Sequence, residues 1–385
     1  MDYMIMKKQF SRWLATAAAL LCLCGLAQVS ALGQDAPNPP VGKGFVVQDK
    51  FGGWIFGYGV DQSGTEGVLS EDLELPDGNL LIATETFDLN TGAIIATVER
   101  QNETQDNFVT LGVFGSHIGL RQDQHVAGGY VVKRTYNTLN PLSGNKMNGV
   151  WLPPLDDKKQ LLEDVEGDQG NPNVAVMAST FNCCSRLVFS SNVAADRFGP
   201  FVTLTDPVFT GGVPPLLAYD SATNQAVVAQ AQGAPYSIPQ IGLVNLTTRS
   251  VTEFTGLGFG FVNGLAVDSA TGIACTTTET DNSAEFYNLA TKTGFIVSLP
   301  VIGKYSGATV AIDPLHKLFL IAHPVPAAPG QVHVYDENGN LIESIVGLSM
   351  GPGGATIAVN PSKRTAFILA PGRGQGLSAL QSFTY

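Results

Sequence analysis

Residues 310–347 contain VAID (310–313), LFLIAH (318–323), QVHVYD (331–336) and LIESIVG (341–347), four short apolar-rich segments separated by polar turns. Asp313-Pro314 closes the first segment, and Glu337-Asn338-Gly339-Asn340 turns the chain from the third into the fourth. Proline fixes φ and cannot donate to a strand ladder, while Asn-Gly accepts the positive φ of a tight hairpin; neither suits a helix interior. Four segments of strand length joined by such turns predict one four-stranded antiparallel sheet.

The same order recurs along the chain. LAYD ends at Asp220, LAVD at Asp268, VAID at Asp313 and IAVN at Asn360, at spacings of 48, 45 and 47 residues. IACTTT (273–278), AEFYNL (284–289) and TGFIVSLP (293–300) follow LAVD, while QAVVAQ (225–230) and QIGLVNL (240–246) follow LAYD. The pattern persists while the letters change, so the period is structural. A strand-rich repeat of about 40–50 residues predicts an all-β fold, a single β-propeller of four-stranded blades.

Upstream, a polar residue after the third strand is the marker that remains. FDLNTG places Asp88 where YDENGN places Asp336, YNTLNPLSG places Asn137 there, and VTLTD (202–206) reads as another third strand. With Asn245, Asn288, Asp336 and the terminal FTY these make seven blades. The last copy has only IAVN, TAFILA (365–370) and ALQSFTY (379–385). GKGFVVQD (42–49) is therefore expected to supply its fourth strand and close the ring, removing an open edge. The propeller is expected to span residues 42–385.

Residues 1–31 read as an export signal: Lys7, Lys8 and Arg12, then an apolar run from Leu14 to Leu26, then Val29-Ser30-Ala31 as a small-residue cleavage site. The run is shorter than the ~20 residues a membrane-spanning helix needs, so no transmembrane anchor and a secreted or periplasmic location are expected. A lipid anchor on Cys22 or Cys24 is the competing reading. Residues 32–41 read as a flexible N-terminal segment, and Asn102 and Asn245 sit in glycan-acceptor triplets.

The net charge of −12 becomes −14 once the leader takes away Lys7, Lys8, Arg12 and Asp2. Such an acidic chain argues against nucleic acid or an anionic membrane as partner. Three cysteines lie beyond the leader, Cys183, Cys184 and Cys275. An odd count forbids complete internal pairing; a Cys183–Cys184 bridge, a link from either to Cys275, or buried thiols all fit.

No GxSxG, HExxH, phosphate-binding glycine loop or EF-hand loop occurs. Candidates are therefore sought by blade order. The approach to each first strand and the exit from each second strand share one face, around the central channel, and His117, Asn263, Lys304, Tyr305, His323 and Arg373 are assigned to that rim as ligand-binding residues. Glu279 and Asp281 fall there too. Asn263, Glu279 and Asp281 offer hard oxygens suited to Ca²⁺ or another divalent ion, and His117 and His323 could join a carboxylate on zinc. For each, an ordinary polar loop residue is the plainer reading. His125, His316 and His333 receive no role. The acidic stretch within 151–173, with Asp164, Glu166 and Asp168, reads as an inserted, solvated loop or a calcium site.

Through the apolar strand, the Asp-Pro or Asp-Ser turn and the third-strand Asp or Asn, the chain resembles the YVTN/NHL-type β-propellers, which include lactonase-like and exported repeat proteins. The naming tetrapeptide is replaced by FLIAHP, VVAQAQ, ACTTTE and FILAPG. The resemblance implies either a non-catalytic exported module binding a protein, glycan or small ligand, or a metal-dependent lactonase-like hydrolase or lyase with a divalent ion held in the channel by Glu, Asn and Asp; Asn263, Glu279 and Asp281 match in type.

Overall fold

The computed structural model describes residues 44, 46–48, 51, 54–60, 64–76, 80–101, 106–114, 117–126, 130–140, 142, 150–151, 162–167, 173–180, 186–192, 197–199, 202–204, 216–231, 238–278, 282–300, 309–323, 330–350, 357–370 and 379–385. The leader, residues 32–41, Cys183 and Cys184 lie outside the described residues.

Among the described residues the strands form seven antiparallel sheets. Blade 1 contains β2 (Trp54–Val60), β3 (Glu66–Glu74), β4 (Leu80–Asp88) and β5 (Ile94–Gln101). Blade 2 contains β6 (Asp106–Phe114), β7 (His117–Val126), β8 (Tyr130–Leu139) and β9 (Val150–Trp151). Blade 3 contains β10 (Leu162–Gly167), β11 (Asn173–Thr180), β12 (Arg186–Asn192) and two short outer pieces on β12, β13 (Arg197–Phe198) and β14 (Val202–Leu204). Blade 4 contains β15 (Leu216–Asp220), β16 (Gln225–Ala231), β17 (Pro239–Asn245) and β18 (Val251–Thr255). Blade 5 contains β19 (Val262–Asp268), β20 (Ile273–Thr278), β21 (Ser283–Asn288) and β22 (Thr293–Ser298). Blade 6 contains β23 (Thr309–Asp313), β24 (Leu318–His323), β25 (Gly330–Asp336) and β26 (Leu341–Leu348). Blade 7 joins β27 (Ile357–Asn360), β28 (Thr365–Ala370) and β29 (Ala379–Thr384) to β1 (Val46–Gln48).

First strands pack on one another in sequence, β2 on β6, β6 on β10, and onward to β27, which packs on β2. β1 is antiparallel to β29, with Val46 opposite Gln381 and Gln48 opposite Ala379. Middle strands read as unbroken apolar runs because neighbouring blades cover both their faces: β24 is buried at all six positions. Outer strands lack that cover, and β22 is exposed at five of its six positions. The cores lie between blades, as where Cys275, Phe286, Phe319, Ile321 and Tyr335 meet across blades 5 and 6.

The residues that set the sequence period build one face of this scaffold. In blades 4 to 7 the first-to-second-strand turn spans four residues, 221–224, 269–272, 314–317 and 361–364. Its last residue is left-handed each time: Asn224, Gly272, Lys317 and Arg364. The preceding Asp or Asn holds the turn. Asp220 Oδ1 accepts from the Ala222 N–H at 3.1 Å, Asp268 Oδ1 from Ala270 at 2.8 Å, and Asp313 Oδ1 from Leu315 at 3.0 Å. This is the Asx turn for which Asp and Asn are preferred.

The same residues clamp adjacent blades. Tyr385 Oη of blade 7 donates to Asp313 Oδ2 of blade 6 at 2.7 Å, and Asn360 Nδ2 donates to the carbonyl of Gly64, between the first and second strands of blade 1, at 3.1 Å. In blade 5, Thr271 donates to Glu337 of blade 6, and the Asp268 carboxylate lies near enough to act on that side chain. Burial first, and Asp268 besides, raise the Glu337 pKa, although the Thr271 bond opposes this. A carboxyl whose folded pKa is raised contributes stability below its unfolded pKa and loses it as pH climbs through the folded value. Glu337→Gln, which keeps an oxygen for Thr271, is expected to stabilise at neutral pH by up to about 1 kcal/mol, a figure held low by partial exposure. The gain should fade toward pH 4; thermal melts of both proteins from pH 4 to 8 check it, and a pH-independent difference contradicts the like-charge account.

Three expectations need correcting. LTD after Val202 does not close a third strand, because β14 is an outer piece on β12, with Val188 opposite Val202. The third-strand marker of blade 2 is Asn140, whose Oδ1 accepts from the Leu142 N–H at 2.9 Å, while Asn137 sits mid-strand opposite Leu120. The stretch 151–173 is not an inserted loop throughout: Glu163, Asp164 and Glu166 lie on β10, first strand of blade 3, with a bulge between Leu162 and Asp164.

Candidate functional site

The two ends of the blades are built differently. Against the constant four-residue turns at one end, the second-to-third-strand connections of blades 4 to 7 at the other end run 232–238, 279–282, 324–329 and 371–378. Their lengths are seven, four, six and eight residues. In these four blades the turn keeps one length while the connection varies in length, the division expected when binding residues ride on a rigid scaffold.

The rim residues expected from sequence distribute unevenly over this frame. Lys304, Tyr305, Arg373, Glu279 and Asp281 lie outside the described residues. Asn263 is on β19, beside the register shift between Val262 and Gly264, half-buried, with its Nδ2 sealed from solvent and without a hydrogen-bond partner among the described residues. His117 is not at the rim. It opens β7, a second strand, opposite Phe114 across the first hairpin of blade 2, and so stands at the end that carries the constant turns. The run FVTLGVF (108–114) ahead of it belongs to the first strand of blade 2, so His117 follows a first strand rather than approaching one. His117 and His323 therefore belong to opposite ends and different blades, and share no metal. Among the described residues no group of three His, Cys, Asp or Glu side chains is placed to hold an ion.

His323 does occupy the rim end, as the last residue of β24, but its ring is wholly buried at 0 % exposure. Alternation along β24 puts it on the face that carries Phe319 and Ile321 toward blade 5. On β25 the same face carries His333, opposite Ile321, and Gln331, opposite His323. The two imidazole rings lie 4.9 Å apart, centre to centre, tilted by 54°. Neither nitrogen of His323 nor Nδ1 of His333 has a hydrogen-bond partner among the described residues. Burial, with His333 adding to it, lowers the His323 pKa to about 4, and burial lowers that of His333 as well. Both rings are neutral at physiological pH. Sequence reasoning passed over His333 because a lone polar residue inside QVHVYD reads as an outward strand position; the cross-strand register is what pairs it with His323.

A second buried polar cluster belongs to the frame. Glu285 on β21, at 0 % exposure, accepts from Thr276 Oγ1 at 2.6 Å, Thr278 Oγ1 at 2.9 Å and Ser283 Oγ at 2.5 Å. The chain leaving blade 4 passes directly over it: a Cβ on Gly258 would stand 2.2 Å from Glu285 Oε1. A carboxylate so satisfied and covered braces the blade 4–5 junction. Cys275, one strand away, is free and buried, and burial pushes its thiol pKa well up, so the link from Cys275 to Cys183 or Cys184 is absent and the sulfur behaves as a core atom. No helix among the described residues is long and apolar enough to cross a membrane.

No protein-family profile matches the chain, and a search of curated proteins finds no relative. Solved structures do resemble it. The structure titled U3-55K matches with a TM-score of 0.57 at 11 % identity, over 89 % of this chain and 98 % of that one. The Cps50 (Swd1) β-propeller domain of Myceliophteria thermophila matches at 0.53 and 12 % identity, over 89 % and 100 %. The Dos1 propeller matches at 0.52 and 9 % identity, over 90 % and 94 %. All three are WD40-type propellers, and at such identities the likeness is one of fold. The chain is a β-propeller.

Proposed function

We propose that this protein is an exported interaction module of seven blades closed by its N-terminal strand, which engages a protein, glycan or small ligand through the loops at the rim end. The observation that carries the reading is the contrast between the ends of blades 4 to 7: four-residue turns repeated at one, connections of four to eight residues at the other. The signal-like leader (1–31) and the resemblance of the repeat to YVTN/NHL-type propellers support export, and the WD40-type neighbours support a scaffold that binds other proteins.

The test is cross-linking of the tagged protein in its native extracytoplasmic fraction, followed by loop replacement. A partner captured by the wild type should be lost when 324–329 and 371–378 are replaced by Gly-Ser segments of equal length, and kept when 269–272 is replaced in the same way. Equal capture by all three proteins contradicts the assignment to the rim end. Turnover of a lactone by the metal-supplemented protein, lost on Glu279→Ala with Asp281→Ala, overturns the non-catalytic reading.

A further inference from the structure

An imidazole nitrogen left unpaired inside a protein forfeits about 1–3 kcal/mol of solvation. Three such nitrogens, both of His323 and Nδ1 of His333, lie together on one face of blade 6. The side chains behind them, Phe319, Ile321, Tyr335 and, from blade 5, Cys275, Ala284 and Phe286, form an apolar cluster that offers them little hydrogen bonding. The arrangement costs stability unless something beyond these described side chains satisfies it.

We propose that His323 and His333 form a binding site for a divalent transition-metal ion of the zinc class. The ring spacing suits ligation. With metal–nitrogen bonds of about 2.1 Å, two imidazoles held about 110° apart at a tetrahedral centre put their ring centres about 5 Å from one another; the observed separation is 4.9 Å. The ligating form is neutral imidazole, and burial keeps both rings in that form. The two residues sit on adjacent, paired strands, whose ladder fixes their relative position without help from a loop. Gln331, opposite His323 on the same face and half-buried, places an amide where a third, oxygen ligand could be supplied. The remaining positions are left to water or to a ligand, as in sites that bind rather than merely brace. The proposal uses neither Asn263 nor Glu279 nor Asp281, and stands whether or not the rim binds a partner.

The full chain, produced without a histidine tag and stripped with chelator, is titrated with Zn²⁺ by calorimetry and with Co²⁺ by visible absorption. One ion per chain is expected, with ligand-field bands of nitrogen-coordinated cobalt. His333→Gln and His323→Ala should each weaken Zn²⁺ binding by at least about 100-fold, beyond the 10- to 100-fold typical of losing an outer-shell partner, and the double variant should lose the cobalt bands. His316→Gln, at a turn of the opposite end, should bind as the wild type does. Metal-free circular dichroism of each variant establishes that it is folded; if His323→Ala is not, His333→Gln decides the matter. Failure of the wild type to bind either ion, or unchanged binding by His333→Gln, overturns the site and leaves a neutral histidine pair bridged by water.

Discussion

Removing residues 1–48 is expected to abolish the cooperative folding that removal of residues 1–43 preserves. The difference is β1, whose three residues lie in register with 379–381 of β29. Without it blade 7 keeps three strands, and β29, LQSF flanked by Ala379 and Thr384, becomes an unpaired edge ready to join another chain. The loss reaches past the ladder. Val47 is fully buried in a cluster with Leu380 and Phe367 of blade 7 and Ile55, Tyr58 and Leu69 of blade 1. Tyr58 ties the same junction by accepting the Leu369 N–H at 3.1 Å. Where the chain's two ends meet, the strand therefore does for blades 7 and 1 what covalent continuity does for the others. Val47→Asp in the full-length chain isolates the packing part: a carboxylate put into that cluster unpaired should cost at least about 3 kcal/mol. Denaturant melts and size-exclusion chromatography are the measurements. A monomeric protein lacking residues 1–48 that melts like one lacking 1–43 would show that the junction holds without its first strand.

The fold was legible where an Asp or Asn marks the end of a first strand, and for a reason the structure makes plain. Asp220, Asp268, Asp313 and Asn360 each hold a turn or its clamp. A turn that needs an Asx side chain at one place prints a mark in the sequence at one spacing. Blades 1 to 3 end their first strands at Val60, Phe114 and Gly167, and the connections to their second strands, 61–65, 115–116 and 168–172, differ in length, so Asp61 and Asp168 fall at no common spacing with the others. Hydrophobic alternation alone does not say which strand of a blade is which, so His117 and Asn137 were assigned to the wrong places. The acidic run of 151–173 misled for a related reason: Glu163, Asp164 and Glu166 look like a solvated loop by composition, yet β10 is held by its ladder with β11. The candidate site was half legible. His323 follows an apolar run and precedes a loop, which locates it at the rim end; its burial and its pairing with His333 depend on cross-strand register and on blade 5 covering the face, neither of which local sequence records.

The interface that covers this face is also where a single side chain is expected to matter most. Phe286 on β21 is 1 % exposed, edge-on to Phe319 of blade 6 at 5.4 Å and stacked at 5.2 Å and 6° on Phe295 of β22. It thus joins the middle of blade 5 both to its own outer strand and to the next blade. Phe286→Ala should cost about 3–5 kcal/mol, the range for a buried aromatic truncated in a core that only partly collapses. Collapse is hindered here because the backbone around the site is already close: a Cβ on Gly294 would lie 2.2 Å from the Phe286 carbonyl oxygen, leaving β21 and β22 no room to approach. Phe286→Leu, which refills most of the volume, should recover a large part of the loss, while Phe295→Ala on the exposed side should cost much less, since that ring is 40 % exposed. Because the same interface carries His323 and His333 on its blade 6 side, Phe286→Ala should also weaken Zn²⁺ binding without removing either imidazole. Denaturant midpoints for the three variants and calorimetry on Phe286→Ala test both parts: equal losses for Phe286→Ala and Phe295→Ala would mean that the blade 5–6 contact is not where the stability resides.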